Sequence, residues 1–306
     1  MKARVGIFVF IGIFVIVLSC GSAPPGFFGN LAGEAAKALG ASEDVVNAAR
    51  AGVGTLEESM AAADNLTPEN EYYIGRAVAA NVASNYKVYN GNRNLQVYLN
   101  KICLAIVINS PRPDIWNGYH VAILDSQEIN AFATPGGHIF LTRGLIASAD
   151  SEDALAAVIA HEVAHIQLRH GLAAIRNARY IDAFKEAAFA GASAGTGVDV
   201  KAMAGTLGDS VSEIVVTMVN NGYSKQQEFD ADKTALSLLA AAGYLPASML
   251  DMLNALQKNT VRGQGFGKTH PSPAERITNT NRNLRGINAA DTREFRVRRF
   301  GAVPRT

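Results

Sequence analysis

The chain has 306 residues, of which 48% are hydrophobic and 18% are charged, as is usual for a globular protein with a substantial core. Its formal net charge at pH 7 is only +1, which gives no sign of a nucleic-acid-binding protein or of a site for acidic substrates. The length allows two domains or one larger domain, and we expect no nucleic-acid partner.

The first twenty residues have the pattern of an export signal. Lys2 and Arg4 precede the unbroken apolar run Val5–Leu18, which is shorter than the ~20 residues that span a bilayer. The run ends in the sequence VLSC, which resembles a bacterial lipobox. We interpret residues 1–20 as a signal peptide with a lipobox in which Cys20 is lipidated. The alternative is an uncleaved membrane anchor.

The cysteine content agrees with this interpretation. Cys103 is the only other cysteine, and it lies in the apolar stretch Ile102–Ile108, so the sequence predicts no disulfide framework. We expect Cys103 to be a small buried core residue.

Residues 21–66 are rich in Ala, Gly and Pro, and we interpret them as a tether with weak helices. The folded domain is predicted to cover residues 67–306. Thr67 is placed to cap a first helix that runs through Tyr86, and a second helix is predicted over Asn94–Ile108.

A β region follows the second helix. Three apolar, β-branched stretches predict strands, and Thr134–Gly137 predicts the turn between the last two. From Leu145 onward the hydrophobic period is helical, so we expect a mostly helical domain of the α+β class with a small sheet. The predicted strands are His120–Leu124, Ile129–Ala133 and His138–Thr142.

The sequence HEVAH, residues 161–165, is the strongest chemical signal in the chain. Asp150 is a suitable N-cap for the helix that contains it. Since an α-helix turns 100° per residue, His161 and His165 lie about 40° apart around the axis and about 6 Å apart along it. Both imidazoles can therefore reach one metal ion, with Glu162 beside the ion without binding it. The alternative is an ordinary helix with polar positions.

A catalytic zinc site of this kind needs a third protein ligand. His170 lies about 140° around the helix from His165, so we expect it to face elsewhere and to have a structural role. A metzincin would have glycine at position 168 and histidine at position 171, where this chain has Leu168 and Gly171. The sequence therefore excludes a metzincin.

A later segment, Ala187–Gly208, is dense in Ala, Gly and Ser. It can be a closely packed helix or a mobile lid over a cleft, and the sequence does not decide between them.

The third ligand is predicted in the stretch Tyr223–Asp232. Ser224 and Gln227 form a capping box, so a helix begins here. Glu228 in its second turn can complete a His-His-Glu set. Asp232, one turn later on the same face, can hold a ligand histidine by its other ring nitrogen. The alternative for such an acidic pair is a solvated helix face.

The C-terminal segment Arg293–Arg299 alternates arginine with Phe295 and Val297. This alternation predicts a final edge strand with one basic face. A basic face of this kind can bind a membrane surface or a partner.

Four motifs, in this order along the chain, resemble the HtpX-like and BepA-like gluzincin metallopeptidases, which are related to the CAAX prenyl proteases. The resemblance covers roughly Glu71–Ile277, and one minor departure is Lys225, where the family more often has arginine. The chain lacks the several transmembrane helices of HtpX, which points to the exported branch of the family. The motifs are Asn130–Gly137, His161–His165, Ser224–Asp232 and Thr269–Ser272.

The resemblance implies a zincin-type domain with one zinc ion per chain. Glu162 would act as the general base, which takes a proton from the attacking water and later passes it to the leaving amine. The implied zinc ligands are His161, His165 and Glu228.

His270 is the candidate for a further role in the site. It could donate to the oxyanion, or it could be a fourth zinc ligand that displaces the water and so gates the site. Ser272 and Glu275 predict a second capping box that would hold His270 in place. The alternative is a histidine on a surface loop.

The resemblance also implies a substrate-binding strand. Family members place the strand that follows this turn at the edge of the cleft, where an extended substrate can add to the sheet. Such binding depends on main-chain hydrogen bonds more than on side chains, so we expect broad specificity for unfolded chains. The alternative is an ordinary hairpin with no role in substrate binding. The implied substrate-binding residues are Gly136, Gly137, His138, Ile139 and Phe140.

Together these inferences predict a zinc-dependent endopeptidase of the cell envelope that acts on misfolded or mis-assembled polypeptides. It would be anchored by lipid and face the periplasm or another extracytoplasmic space, and the expected membrane is the outer membrane if the cell has one. The competing hypothesis is a chaperone or assembly factor that keeps the zinc site and rarely cuts. Glu162 favours the endopeptidase, because a pure binder needs no general base.

Overall fold

The computed structural model describes residues 67–173, 222–259, 270, 272–287, 289 and 291–304, and six single positions between 34 and 47. Apart from those six positions, the described residues belong to one compact unit of residues 67–174 and 213–306. The predicted signal peptide, the tether except for the six positions, and Ala187–Gly208 lie outside the described residues. No helix within the described ranges is long and apolar enough to cross a membrane.

The described part of this unit contains eight α-helices, three short strands and one 3-10 turn, which confirms the predicted α+β class. The first two helices lie where the sequence predicts them, within one or two residues at each end. The helices are α1 (Pro68–Asn85), α2 (Arg93–Val107), α3 (Arg143–Ser148), α4 (Glu152–Gln167), α5 (Lys225–Ala241), α6 (Ser248–Asn259), α7 (Pro273–Asn283) and α8 (Glu294–Gly301).

The sheet has the strand order β1-β3-β2. Strand β1 (His120–Leu124) pairs parallel with β3 (His138–Thr142), which pairs antiparallel with β2 (Ala131–Thr134). The turn between β2 and β3 contains Gly136 with φ 71°, a left-handed conformation that favours glycine. An added Cβ there would lie 2.5 Å from the Cα of Tyr72. The turn therefore needs glycine for its backbone and for the packing of α1 against it.

Strand β3 is the central strand, and its main chain pairs with β1 on one side and with β2 on the other. An extended substrate cannot add to a strand that is already paired on both sides. The predicted substrate edge is therefore wrong, because the sequence indicates the β2–β3 hairpin but carries no signal that β1 pairs with β3. The residues concerned are Gly136, Gly137, His138, Ile139 and Phe140.

Helix α4 is the central element of the core. Its residues Glu152–Ile166 are all buried, and it packs against α2, α5, α6 and β2. Alanine recurs along it, and such small side chains permit short distances between helix axes. Ser151 caps the helix by accepting a hydrogen bond from the Ala154 N–H at 3.0 Å, so the predicted cap at Asp150 is wrong by one residue.

The C-terminal segment is helix α8 (Glu294–Gly301), so the prediction of an edge strand over Arg293–Arg299 is wrong. Arg296 and Phe300, four residues apart, face the core, whereas Phe295 and Val297 are exposed. Residues four apart share a helix face. The alternation in the sequence is too short to distinguish this pattern from a strand.

Helix α8 is tied to the start of α4 by two arginines. Arg296 donates from Nε and Nη2 to the two carboxylate oxygens of Asp153, at 2.8 Å each. Arg299 pairs with Glu152, which also accepts hydrogen bonds from the hydroxyls of Tyr98 and Tyr244 at 2.8 and 3.0 Å. The N-terminal end of the central helix is therefore fixed by two ion pairs, the Arg296–Asp153 pair buried and the Arg299–Glu152 pair open to solvent on the arginine side.

Replacing Arg296 with alanine is expected to lower the free energy of unfolding by about 3–5 kcal/mol, because it leaves the buried Asp153 carboxylate without its charged partner. Arg298→Ala, on the exposed side of the same helix, is the matched control and should change stability by less than about 0.5 kcal/mol. Urea unfolding of both variants measures the difference. Equal losses in the two variants would contradict the assigned role of Arg296.

Candidate metal centre

The last two turns of α4 place the imidazole rings of His161 and His165 next to each other. Both rings are buried, their Nε2 atoms lie 3.1 Å apart, and the ring planes are nearly perpendicular at 87°. This is the arrangement that the spacing of four residues predicts. Two neutral imidazole nitrogens that face each other in this way are suited to share one metal ion.

Helix α5 supplies the acidic side of the cluster. The predicted capping box of Ser224 and Gln227 is present and starts the helix at Lys225. Glu228, in its second turn, is fully buried, with its two carboxylate oxygens each 3.4 Å from an Nε2 atom of His161 or His165. The predicted His-His-Glu cluster is thus confirmed.

Asp232 lies one turn beyond Glu228 and is also fully buried. Its Oδ1 atom lies 3.0 Å from Nδ1 of His161, on the side of the ring opposite the metal-facing nitrogen. A carboxylate in this position accepts the ring N–H and fixes the orientation of a ligand histidine. Its geometry is the one predicted for a residue that orients His161.

His270 joins the same cluster. Its Nδ1 atom lies 2.8 Å from Oε1 of Glu228, and the four side chains of His161, His165, Glu228 and His270 offer ligand atoms within 4.8 Å of one another. His270 is buried, which removes the interpretation of a histidine on a surface loop.

The capping box predicted to hold His270 does not form. Ser272 is the N-cap of α7 but makes no side-chain cap hydrogen bond. Glu275 instead accepts from Nζ of Lys225 at 2.7 Å, so this prediction is wrong. The side chains of Ser272 and Glu275 are exposed. The ion pair between Glu275 of α7 and Lys225 of α5 forms in place of the capping box.

Arg276 is the residue of the site that the sequence did not predict. Its guanidinium is fully buried and donates to Asp232 at 2.6 and 2.9 Å, and its Nη1 atom lies 3.2 Å from Oε2 of Glu228. Nothing in the polar sequence of α7 distinguishes it, because an arginine on such a helix is ordinarily solvated. It balances two carboxylates that would otherwise repel each other.

Glu162 lies beside the cluster with its carboxylate buried. It lines a narrow cavity together with strand β2, Tyr223 and His270. Neither carboxylate oxygen has a hydrogen-bond partner among the described residues. Burial raises the pKa of Glu162 above its usual value, and a raised pKa makes a carboxylate a stronger base.

The donor set fits zinc. Two imidazole nitrogens and one carboxylate oxygen are a common ligand set for catalytic Zn²⁺. The pKa values of Glu228 and Asp232 are held below their usual values by Arg276 and His161, among other partners, so the cluster offers ionised carboxylates to a dication. The partnerless oxygens of Glu162 are placed to accept from a water at the ion.

His170 lies closer to the centre than the sequence predicts. Helix α4 ends at Gln167, and Arg169 has the left-handed φ of 56° in the turn that follows. As a result Nδ1 of His170 lies 2.9 Å from Nδ1 of His165. The prediction that His170 faces away from the cluster is wrong, because that prediction assumed that helix α4 continues through residue 170.

This arrangement defines a class. Two histidines four residues apart on one helix, a glutamate from a second helix and a further carboxylate beside them form the zinc site of a metallopeptidase. The sequence comparison specifies the class: residues 92–283 match peptidase family M48, and the chain belongs to that family.

Several characterised proteins are similar to the chain. A β-barrel assembly-enhancing protease of Escherichia coli is 29% identical over 192 residues, which are 60% of this chain and 37% of the relative. The metalloprotease LoiP of Escherichia coli is 31% identical over 154 residues, which are 49% of this chain and 57% of LoiP. The mitochondrial metalloendopeptidase OMA1 of Schizosaccharomyces pombe is 27% identical over 188 residues, 59% of this chain and 50% of OMA1. The chain thus matches less than two thirds of each relative.

Zinc binding is expected to strengthen with pH. Burial and the charge of Arg276 lower the pKa of His161, but hydrogen bonds to Asp232 and Glu228 outweigh them and raise it to about 9. Below that pH the metal-free site holds a proton on His161 that zinc must displace. The affinity for zinc should therefore rise by about tenfold per pH unit from pH 7 to 8.

Chelator competition at several pH values measures this slope, and calorimetry in buffers of different ionisation enthalpy counts the proton released. An affinity that is constant between pH 7 and 8, with no proton release, would contradict the charge state assigned to His161.

Proposed function

We propose that this protein is a zinc-dependent endopeptidase that hydrolyses peptide bonds in misfolded or mis-assembled proteins of the cell envelope. The observation that carries the proposal is the position of Glu162, a buried carboxylate without a hydrogen-bond partner among the described residues, beside the three zinc-ligand side chains. Membership of peptidase family M48 supports it.

The chemistry follows from the placement of the side chains. Zinc bound in such a site supplies Lewis acidity, which polarises a substrate carbonyl and makes water more acidic. His161, His165 and Glu228 would hold the metal, and Asp232 would keep His161 in the correct tautomer. Glu162 accepts a proton at its carboxylate and returns it to the nitrogen of the leaving amine.

Strand β2 is the better candidate for substrate binding. It lies at an edge of the described sheet, and its residues Ala131–Thr134 line the cavity that contains Glu162. The hydroxyl of Tyr223 donates to the carbonyl of Ala133 at 3.2 Å. An extended substrate would take over such an acceptor with a main-chain N–H, which favours unfolded chains of varied sequence.

The cellular setting is part of the proposal. The sequence of residues 1–20 supports export and lipid attachment at Cys20, with residues 21–66 as a tether and the peptidase domain from residue 67 onward. A similar protein is named for enhancing β-barrel assembly, and membrane β-barrels are typical of bacterial outer membranes. We therefore infer a lipid-anchored peptidase facing the periplasm, on the outer membrane if the cell has one.

Replacing Glu162 with glutamine should lower the hydrolysis of an unfolded protein substrate by about 10²–10⁴-fold, because the general base is lost. Zinc content should stay at one ion per chain, since Glu162 is not a ligand. The matched control is Glu294→Gln, an exposed glutamate of α8, which should leave hydrolysis unchanged.

The same variant decides between the peptidase and a chaperone or assembly factor that retains zinc. Loss of both cleavage and cellular effect in Glu162→Gln supports the peptidase. If the cellular effect survives without cleavage, proteolysis is not the main activity and the proposal fails.

The position of His270 supports a gate. With Nδ1 at 2.8 Å from Glu228 in a cluster of four ligand groups, His270 can close the zinc shell, and a closed shell excludes the water. His270→Ala should therefore raise the rate of peptide hydrolysis while zinc remains bound. A fall of about 10²–10³-fold in rate would instead assign His270 to oxyanion stabilisation.

A further inference from the structure

The two ligand histidines are supported in different ways on the sides that face away from the metal site. His161 has the carboxylate of Asp232 at its Nδ1 atom, at 3.0 Å. His165 has another imidazole there, with Nδ1 of His170 at 2.9 Å. A ligand histidine is usually oriented by a carboxylate, a carbonyl or water, so the pair of histidines requires an account of its own.

The geometry fixes which ring donates. The Nε2 atom of His165 faces Nε2 of His161 and lies 3.4 Å from Glu228, so Nε2 is the nitrogen that offers its lone pair to the metal. In a neutral imidazole the proton then resides on the other nitrogen, Nδ1. The Nδ1–H of His165 therefore donates to His170, whose Nδ1 must accept and whose own proton resides on Nε2.

The position of His170 is set by the turn after α4. The Arg169 side chain reaches Oε2 of the buried Glu71 at 3.3 Å. Arg112, whose guanidinium lies 3.6 Å from the same oxygen, donates to the carbonyls of Ile166 and Gln167 at 3.4 and 3.2 Å and so caps the end of α4. Glu71 of α1 thereby supports the turn that precedes His170.

Tyr223 supplies the other constraint on His165. The two rings stack with centroids 4.0 Å apart and planes at 16°. A stacked neighbour restrains the plane of the imidazole but permits rotation within that plane. The hydrogen bond from Nδ1 restrains this rotation, and with it the direction of the Nε2 lone pair.

We propose that His170 is a positioning residue of the zinc site, which accepts the Nδ1–H of His165 and aims Nε2 of His165 at the metal. The inference rests on the zinc site of the proposed peptidase, but it concerns metal retention rather than cleavage. In this proposal His170 accepts the Nδ1–H of His165, as Asp232 accepts the Nδ1–H of His161. The difference is that His170 is an uncharged acceptor.

The test is a matched pair of variants in the full-length, zinc-loaded chain. In His170→Asn the side-chain oxygen can occupy the position of Nδ1 of the histidine. In His170→Gln the amide group lies one bond farther from the main chain and cannot occupy that position. The rate of zinc release into an excess of a chromogenic chelator should rise by about 10–100-fold in His170→Gln. In His170→Asn it should stay within about threefold of the unaltered protein.

A merely structural role predicts that both variants lose zinc faster to the same degree, in step with the thermal stability of their metal-free forms. That result, or zinc release at the unaltered rate in His170→Gln, would overturn the proposal. If one of these results is found in variants that still bind zinc, only the role of His170 is contradicted and the proposed peptidase activity is not. If the unaltered protein binds no zinc, both proposals are contradicted.

A second measurement needs no variant. The chain has six histidines, so nitrogen-15 spectra of the zinc-loaded protein with labelled histidine can resolve the tautomer of each ring. The proposal requires a proton on Nδ1 of His165 and on Nε2 of His170. A proton on Nδ1 of His170 would contradict it, because that nitrogen could then not accept.

Discussion

The whole centre depends on one buried carboxylate, Glu228, and on the charges that neutralise it. A fully buried charge is stable only when it is paired and hydrogen-bonded. Glu228 meets Arg276 on one side and the two metal-facing imidazoles on the other. These contacts join three helices, since Glu228 belongs to α5, the two imidazoles to α4 and Arg276 to α7. The zinc site is thus also part of the core.

The frame around this carboxylate is rigid because the central helix is held at both ends. At its start, Asp153 is paired with Arg296 of the C-terminal helix. At its end, Arg112 caps the last carbonyls and the chain turns at Arg169. The ligand histidines lie in the last two turns between these points. Such support from outside the ligand shell keeps metal ligands near their productive geometry.

The sequence predicted what local periodicity encodes. The spacing of His161 and His165 and the capping box that starts α5 are properties of single helices, and both are present. Several errors fall where distant segments decide the structure. Burial of Arg276 and the central place of β3 depend on elements from elsewhere in the chain. The contact of His170 depends on a helix end that no glycine marks in the sequence.

X-ray absorption at the zinc edge of the full-length, metal-loaded protein tests the central claim most directly. The account predicts three or four nitrogen or oxygen neighbours at about 2.0–2.1 Å. It also predicts the outer-shell scattering of at least two imidazoles, which His161 and His165 supply. A sulfur neighbour at about 2.3 Å, or a shell of water without imidazole, would contradict it.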